Sequence, residues 1–306
     1  MLRALFIGLS ESRSIRSFAE KSAMGQRMSR RFVAGTTVEE LLTATKQMND
    51  LGIRVSVDNL GENVTNVEEA LHSEKLYHQL LDEIDKRKLD ANVSLKLTHM
   101  GLDVDPDLAY RIVSDLLEHA KAINNFIRID MEGSPYTQRT IDFTRELHKR
   151  PGAAGKVGTV LQSYMRRTEA DAKLLCSEGI RIRLCKGAYR EPPEIAFQPK
   201  AEVDANYVKV SKYLIKSGIF HGLATHDERI ITEIKHWAGA NDIRQSAFEF
   251  QMLYGIRRDL QQQLVREGWG MRVYIPFGTE WYPYLMRRLA ERPANVFFIA
   301  KNILRG

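Results

Sequence analysis

The spacing of apolar positions changes character along the chain. Over VEELLTATKQMNDLG, Val38 to Gly52, the stripe Val38, Leu41, Leu42, Thr45 and Met48 predicts an amphipathic helix with Gly52 as its stop. Residues 1–51 read as helical. Short β-branched runs then recur at IRVSVD (53–58), NVSLKLT (92–98), FIRIDME (126–132) and KVGTVLQSY (156–164). Four more follow at IRIRLCKGAY (180–189), FHGLATHD (220–227), SAFEFQML (246–253) and MRVYIPFG (271–278). A helical pattern follows each, as in PDLAYRIVSDLLEHAKAI from Pro106 to Ile123. Near the end, EWYPYLMRRLAERPAN (280–295) carries the stripe Trp281, Leu285, Leu289, with Pro283 in the first turn.

Strict alternation of eight strands with eight helices implies parallel strands joined by helical crossovers. The predicted fold class is α/β, a closed (βα)8 barrel. An open doubly wound sheet would carry a glycine fingerprint after its first strand. The sequence there is DNLGENV, without G-x-G-x-x-G, and no Walker A motif occurs. No linker marks a second domain, and REPPEIAFQPK (190–200) reads as a loop after strand five. The expectation is one catalytic domain over 1–306, with a helical segment (1–51) ahead of the barrel (52–306).

The chain has 306 residues, 43% of them hydrophobic, which is enough for a large single core. Lys and Arg exceed Asp and Glu by 45 to 39, a net charge of +6. The excess is spread along the chain and suits an anionic ligand, a nucleic acid or an anionic membrane without choosing among them. The two cysteines, Cys176 and Cys185, have no paired spacing, so neither a disulfide framework nor a zinc site is expected. The start, MLRALFIGLSESRSIRSF, reads as an amphipathic helix rather than a signal peptide. No run approaches the ~18 apolar residues of a membrane span. The protein is expected to be cytoplasmic, or at most peripheral on the inner face of the membrane.

Barrel strands are expected to be apolar, so polar residues within them stand out. They are Lys96, Asp130, Gln162, Arg183, Lys186, Thr225, His226, Glu249, Gln251 and Tyr274. All are expected toward the C-terminal ends of their strands, where barrel enzymes build their sites. Each has an ordinary alternative: Lys96 paired with Asp130, His226 a structural histidine, Arg183 pointing outward. Arg287 and Arg288 flank the last apolar stripe. They can snorkel or pair with Glu291, or converge as two forks on one carboxylate or phosphate. The set is rich in cations and lacks H-E-x-x-H and G-x-S-x-G, so redox chemistry would need a cofactor.

SLKLT, IRIDME, RIRLCKGAY, ATHD, FEFQMLYG and YLMRRLAERPAN together resemble the proline dehydrogenase family, in its short monofunctional bacterial form, from about residue 30 to the end. The resemblance implies a distorted (βα)8 TIM-type barrel with a C-terminal helix over the mouth and noncovalent FAD across the C-terminal face. It implies oxidation of L-proline to Δ1-pyrroline-5-carboxylate, the first step of proline catabolism. Hydride would pass from proline C5 to flavin N5 and electrons to a quinone. Arg287 and Arg288 would clamp the substrate carboxylate, with Lys96 as a third cation. Tyr274, Tyr284, Leu253 and Tyr189 would wall the ring. Asp130 would orient the substrate, and Arg183 would lie beside flavin N5. Gln162, Lys186, Gly187, Ala188, Thr225 and His226 would contact FAD. Cys185 departs from the family, which more often has an aliphatic residue there, and is expected to pack in the barrel wall. The alternatives are another flavin-dependent barrel oxidoreductase of a small amino acid or amine and, in a different class, a nucleic-acid binder suggested by the net charge and RMSRRF (27–32). Against the latter, no nucleic-acid module is present. The basic N-terminal segment could instead touch an anionic membrane near the quinone pool.

Overall fold

The computed structural model describes residues 29–61 and 63–291 together with Ser22 and Gly25, with side chains through Met286 in the last helix. Helices expected before residue 29 lie outside the described residues. Helix α1 (Val38–Asp50) opens on a capping box: the Thr37 side chain accepts from Glu40 N, and the Glu40 carboxylate accepts from Thr37 N. Leu41, Leu42, Ala44 and Thr45 form its buried face.

Eight strands follow: β1 (Arg54–Asn59), β2 (Ala91–Leu95), β3 (Ile127–Ile129), β4 (Val157–Gln162), β5 (Arg181–Cys185), β6 (His221–Ala224), β7 (Phe248–Leu253) and β8 (Gly270–Phe277). They form a closed parallel barrel in sequence order. Closure pairs β1 with β8 from Arg54↔Arg272 to Asn59↔Phe277. The crossover helices are α2 (Val67–Lys86), α3 (Pro106–Ala122), α4 (Ser134–His148), α5 (Thr168–Ser177), α6 (Lys200–Lys216), α7 (Glu228–Ala240) and α8 (Arg258–Arg266), with α9 (Trp281–Glu291) after β8. The predicted runs overshoot most strands at the C-terminal end. Strand β2 stops at Leu95 and a 3-10 turn occupies 98–100; β5 stops at Cys185 and leaves KGAY in a loop.

One correction concerns the strand interiors. The lumen is not apolar. Along β1 the sequence alternates Arg54, Ser56, Asp58 with Val55 and Val57, and the two valines are fully buried in the core cluster shared with the surrounding helices. Ile127 and Ile129, Ile182 and Leu184, Phe248 and Phe250, and Met271 and Val273 join the same cluster. With a period of two, the intervening polar residues turn into the barrel. This differs from the usual barrel interior filled by layers of branched apolar side chains. Cys185 packs against the main core as expected.

A second cluster joins Phe32 and Val33, Leu60 after β1, and Trp281, Tyr282, Tyr284 and Leu285 of α9, with Ile256 after β7 against it. The segment before α1 is tied to the end of β8 by Ala34 N to Pro276 O (2.9 Å) and Gly278 N to Gly35 O (3.0 Å). Helix α9 is thereby fixed at the C-terminal rim of the barrel.

Candidate active site

Arg183, in the middle of β5, is 6% exposed and reaches across the lumen. Its Nη1 donates to Asp130 Oδ1 (2.8 Å), its Nε to Gln251 Oε1 (2.6 Å), and its Nη2 to the hydroxyls of Ser56 (2.9 Å) and Ser94 (3.2 Å). These partners lie on or just after β3, β7, β1 and β2, so only an inward side chain can meet them all. The outward alternative for Arg183 is excluded. Gly222 makes room for the contact, because a Cβ there would overlap the Gln251 side chain. Asp130, just after β3, takes Tyr274 on its second oxygen, Tyr274 Oη donating to Oδ2 at 2.8 Å. Burial and the Asp130 charge hold the Tyr274 hydroxyl well above its ordinary pKa, so it stays a donor.

Lys96 does not pair with Asp130. Its ammonium sits 3.2 Å from Asp58 Oδ2, on β1. Asp58 is 1% exposed and was missed in the sequence. Burial pushes its carboxyl up to about 6, against the opposing pull of Lys96, and the Asp130 charge adds to the rise. Ser56 and Ser94 were missed as well.

Glu249 is also corrected. It lies at the N-terminal end of β7 and faces the barrel floor, where its Oε1 accepts from Arg272 Nε (2.6 Å) and Gln251 Nε2 (2.7 Å). Its Oε2 accepts from Arg54 Nη1 (3.2 Å). Through Gln251 it is nonetheless wired to Arg183.

The other expected site residues lie on the opposite arc of the mouth. Gln162 ends β4, is 4% exposed, and donates Nε2 to Glu132 O (3.0 Å). Lys186 follows β5 and binds Asp204 (2.5 Å) and Asp227 (3.0 Å). Gly187 has φ of 108°, and a Cβ there would run into the Tyr164 ring. Ala188 and Tyr189 continue this loop, and Tyr189 is 38% exposed, near Gly133 after β3. Thr225 and His226 follow β6; His226 Nε2 accepts from Leu253 N (2.9 Å), which assigns the proton to Nδ1 in the neutral ring. Tyr284 is buried in the rim cluster. Arg287 and Arg288 belong to α9, but their side chains lie outside the described residues. The structure thus brings Asp130, Arg183 and Tyr274 into one network, with Lys96 beside it. It sets Gln162, Lys186, Thr225, His226 and Leu253 on the arc from β4 to β7. The described residues hold no cluster fit for a metal ion.

A closed parallel barrel with a hydrogen-bonded charged network opening at its C-terminal face defines a (βα)8-barrel enzyme. A proline dehydrogenase family profile matches residues 41–301. Proline dehydrogenase 1 of Bacillus subtilis subsp. natto is 39% identical over 306 residues, covering all of both chains. Proline dehydrogenase of Deinococcus radiodurans is 39% identical over 282 residues, 91% of each. The crystal structure of proline utilization A from Bdellovibrio bacteriovorus, inactivated by N-propargylglycine, superposes with a TM-score of 0.81 at 27% identity. That match covers 87% of this chain and 32% of the other. The chain belongs to the proline dehydrogenase family and is an oxidoreductase. Membership supports proline oxidation as its reaction.

Proposed function

We propose that this protein uses noncovalent FAD to oxidise L-proline to Δ1-pyrroline-5-carboxylate and hands the electrons to a quinone. The observation that carries this reading is the network of Arg183, Asp130 and Tyr274 beneath the mouth. The residues of the β4–β7 arc fit a flat anionic cofactor. Gly187 leaves bare backbone, Lys186 brings a cation, and the buried Tyr164 hydroxyl beside Gly187 lacks a hydrogen-bond partner. Bound FAD would supply the two-electron acceptor, taking hydride from proline C5 at N5.

The protein's own groups then have separate tasks. Arg183 holds a fixed positive charge under the mouth, where negative charge grows as the reaction proceeds. Asp130, fixed at both oxygens, offers an oriented carboxylate to the substrate ammonium. Tyr274, Tyr284, Leu253 and Tyr189 wall the ring, while Gln162, Ala188, Thr225 and His226 line the cofactor. Arg287 and Arg288, with Lys96, take the substrate carboxylate through charge-assisted bonds. Among the described residues no helix is long and apolar enough to cross a membrane. The test is a visible spectrum of the purified protein before and after anaerobic L-proline. A flavin spectrum that bleaches, and FAD released on denaturation, are expected. Absence of flavin, or a nicotinamide cofactor in its place, would refute the proposal.

A further inference from the structure

The floor of the barrel carries positive charge that the mouth chemistry does not use. A cavity of ≈ 370 Å³ opens there, lined by Asn92, Arg128, Arg181, Glu249 and Arg272, with Arg183 above and Asp85, Lys88 and Asp90 at the rim. Most of these charges balance locally. Arg183 pairs with Asp130, Arg272 with Glu249, Lys88 with Asp85, and Arg54 with Asp90 at 3.7 Å. Arg128 and Arg181 are left over, and no ion pair to either is found among the described residues.

Arg128 is 3% exposed. Its Nη1 donates to two neutral acceptors, Thr159 O and Arg181 O, both at 2.8 Å. Its Nε is buried without a partner. Arg181 makes only long bonds, Nε to Phe220 O (3.3 Å) and Nη1 to Gly155 O (3.4 Å). Both guanidiniums lie over the Phe126 ring, at 4.6 and 4.2 Å from its centroid. Burial and the charges of Arg183 and Arg181 press the Arg128 pKa well below its ordinary value, outweighing the pull of Glu249 and Asp130, neither of which is in ion-pair contact with it. An arginine does not relieve such a conflict by losing its proton. A buried charge without a counter-charge is costly, and an oxyanion is the partner that guanidinium forks fit.

We propose that the cavity at the N-terminal floor binds a small oxyanion, of phosphate or carboxylate type, between Arg128 and Arg181, at the opposite end of the barrel from the proline site. The test uses the flavin-loaded enzyme, so that the cofactor's own phosphate contacts are filled. Thermal unfolding is followed while sodium chloride is replaced by sodium phosphate at constant ionic strength, with sodium acetate as a second arm. Tm should climb with the logarithm of phosphate concentration, as for a ligand that binds only the folded state. A climb in acetate as well would assign a carboxylate-type ligand; a climb in phosphate alone, a phosphate-type one. Arg181→Gln, at the half-buried start of β5, should weaken phosphate binding by about 10-fold or more and leave the KM for proline unchanged. Arg128→Met should abolish the climb, and Arg128→Lys should keep part of it. If Arg128→Met does not fold, Arg181→Gln decides. A flat response of the unsubstituted enzyme in both salts, or a climb that survives intact in Arg181→Gln, overturns the proposal.

Discussion

The two ends of the lumen are built from the same residue types and differ in what they leave exposed. At the mouth, among the described residues, three cations are set against carboxylates: Arg183 on Asp130, Lys96 on Asp58, Lys186 on Asp204 and Asp227. At the floor, Glu249 is shared by Arg272 and Arg54, while among the described residues Arg128 and Arg181 make no ion pair and feel Glu249 only from a distance. Gln251 joins the halves, accepting from Arg183 and donating to Glu249. Balanced pairs at the mouth keep groups oriented without fixing a net charge, which suits a zwitterionic substrate. Crowded arginines below oppose folding unless something compensates them.

The sharpest way to break this contrast is at Glu249. Glu249→Gln leaves Arg272 in the lumen without its counter-charge. Denaturant unfolding should show a loss of about 3–5 kcal/mol, while flavin reduction by proline in the folded fraction stays within a few-fold. A collapse of the reduction rate would mean that mouth and floor act as one unit. Arg183→Met attacks the other half. It should slow anaerobic flavin reduction by about 10²–10³-fold, as for one preorganised charge contact; an unchanged rate in stopped flow would remove Arg183 from the chemistry. Next come the rim arginines. Charge-assisted bonds are worth about 1.5–3 kcal/mol, so Arg287→Met and Arg288→Met should each weaken proline binding by roughly 10- to 150-fold. Each should also erode the preference for proline over pyrrolidine. If both keep the full preference, α9 does not clamp the carboxylate.

The smallest effect is in pH. Because burial raises Asp58 to about 6 from 3.8, its protonated form is favoured in the fold. The stability it contributes is therefore present below its unfolded pKa and lost as pH rises through about 6. In the same window the carboxylate that holds Lys96 appears. The pH profile of kcat/KM should bend there, and Asp58→Asn should remove the bend.

The order of elements was legible because alternation of periods is a local property of the chain. All eight strands fell within the predicted runs, apart from single residues such as Asn59 and Gly270. The overshoots have one cause: the strands end at Leu95, Ile129, Cys185 and Ala224, with at most a last ladder bond beyond, such as Asp130 N to Leu95 O (2.8 Å) and Thr225 N to Gln251 O (3.0 Å), while residues such as Lys96, Asp130 and Lys186 still look like strand neighbours. The alternation R-V-S-V-D in β1 is visible in the sequence, but the expectation of apolar barrel strands hides Asp58. Glu249 and Gln251 sit two residues apart and read as one level; their partners put Glu249 at the floor with Arg272 and Gln251 one step above it with Arg183, the two still bonded to each other. The choice of Asp58 over Asp130 by Lys96 depends on the stagger between β1, β2 and β3, which no local pattern encodes.

The rim has a consequence for how the chain is made. The segment from Ala34 to Gly35 bonds to Pro276 and Gly278, and β1 finds its second neighbour only in β8. A ribosome delivers these partners at opposite ends of synthesis. The nascent chain must therefore hold β1 with one open edge until nearly the last strand emerges, and such edges invite pairing with other chains. Closing the barrel and finishing the rim are then one late event of high contact order. An oxidoreductase assembled in this way can complete a site at the barrel mouth only after β8 has been made, which guards against half-made chains with partial activity.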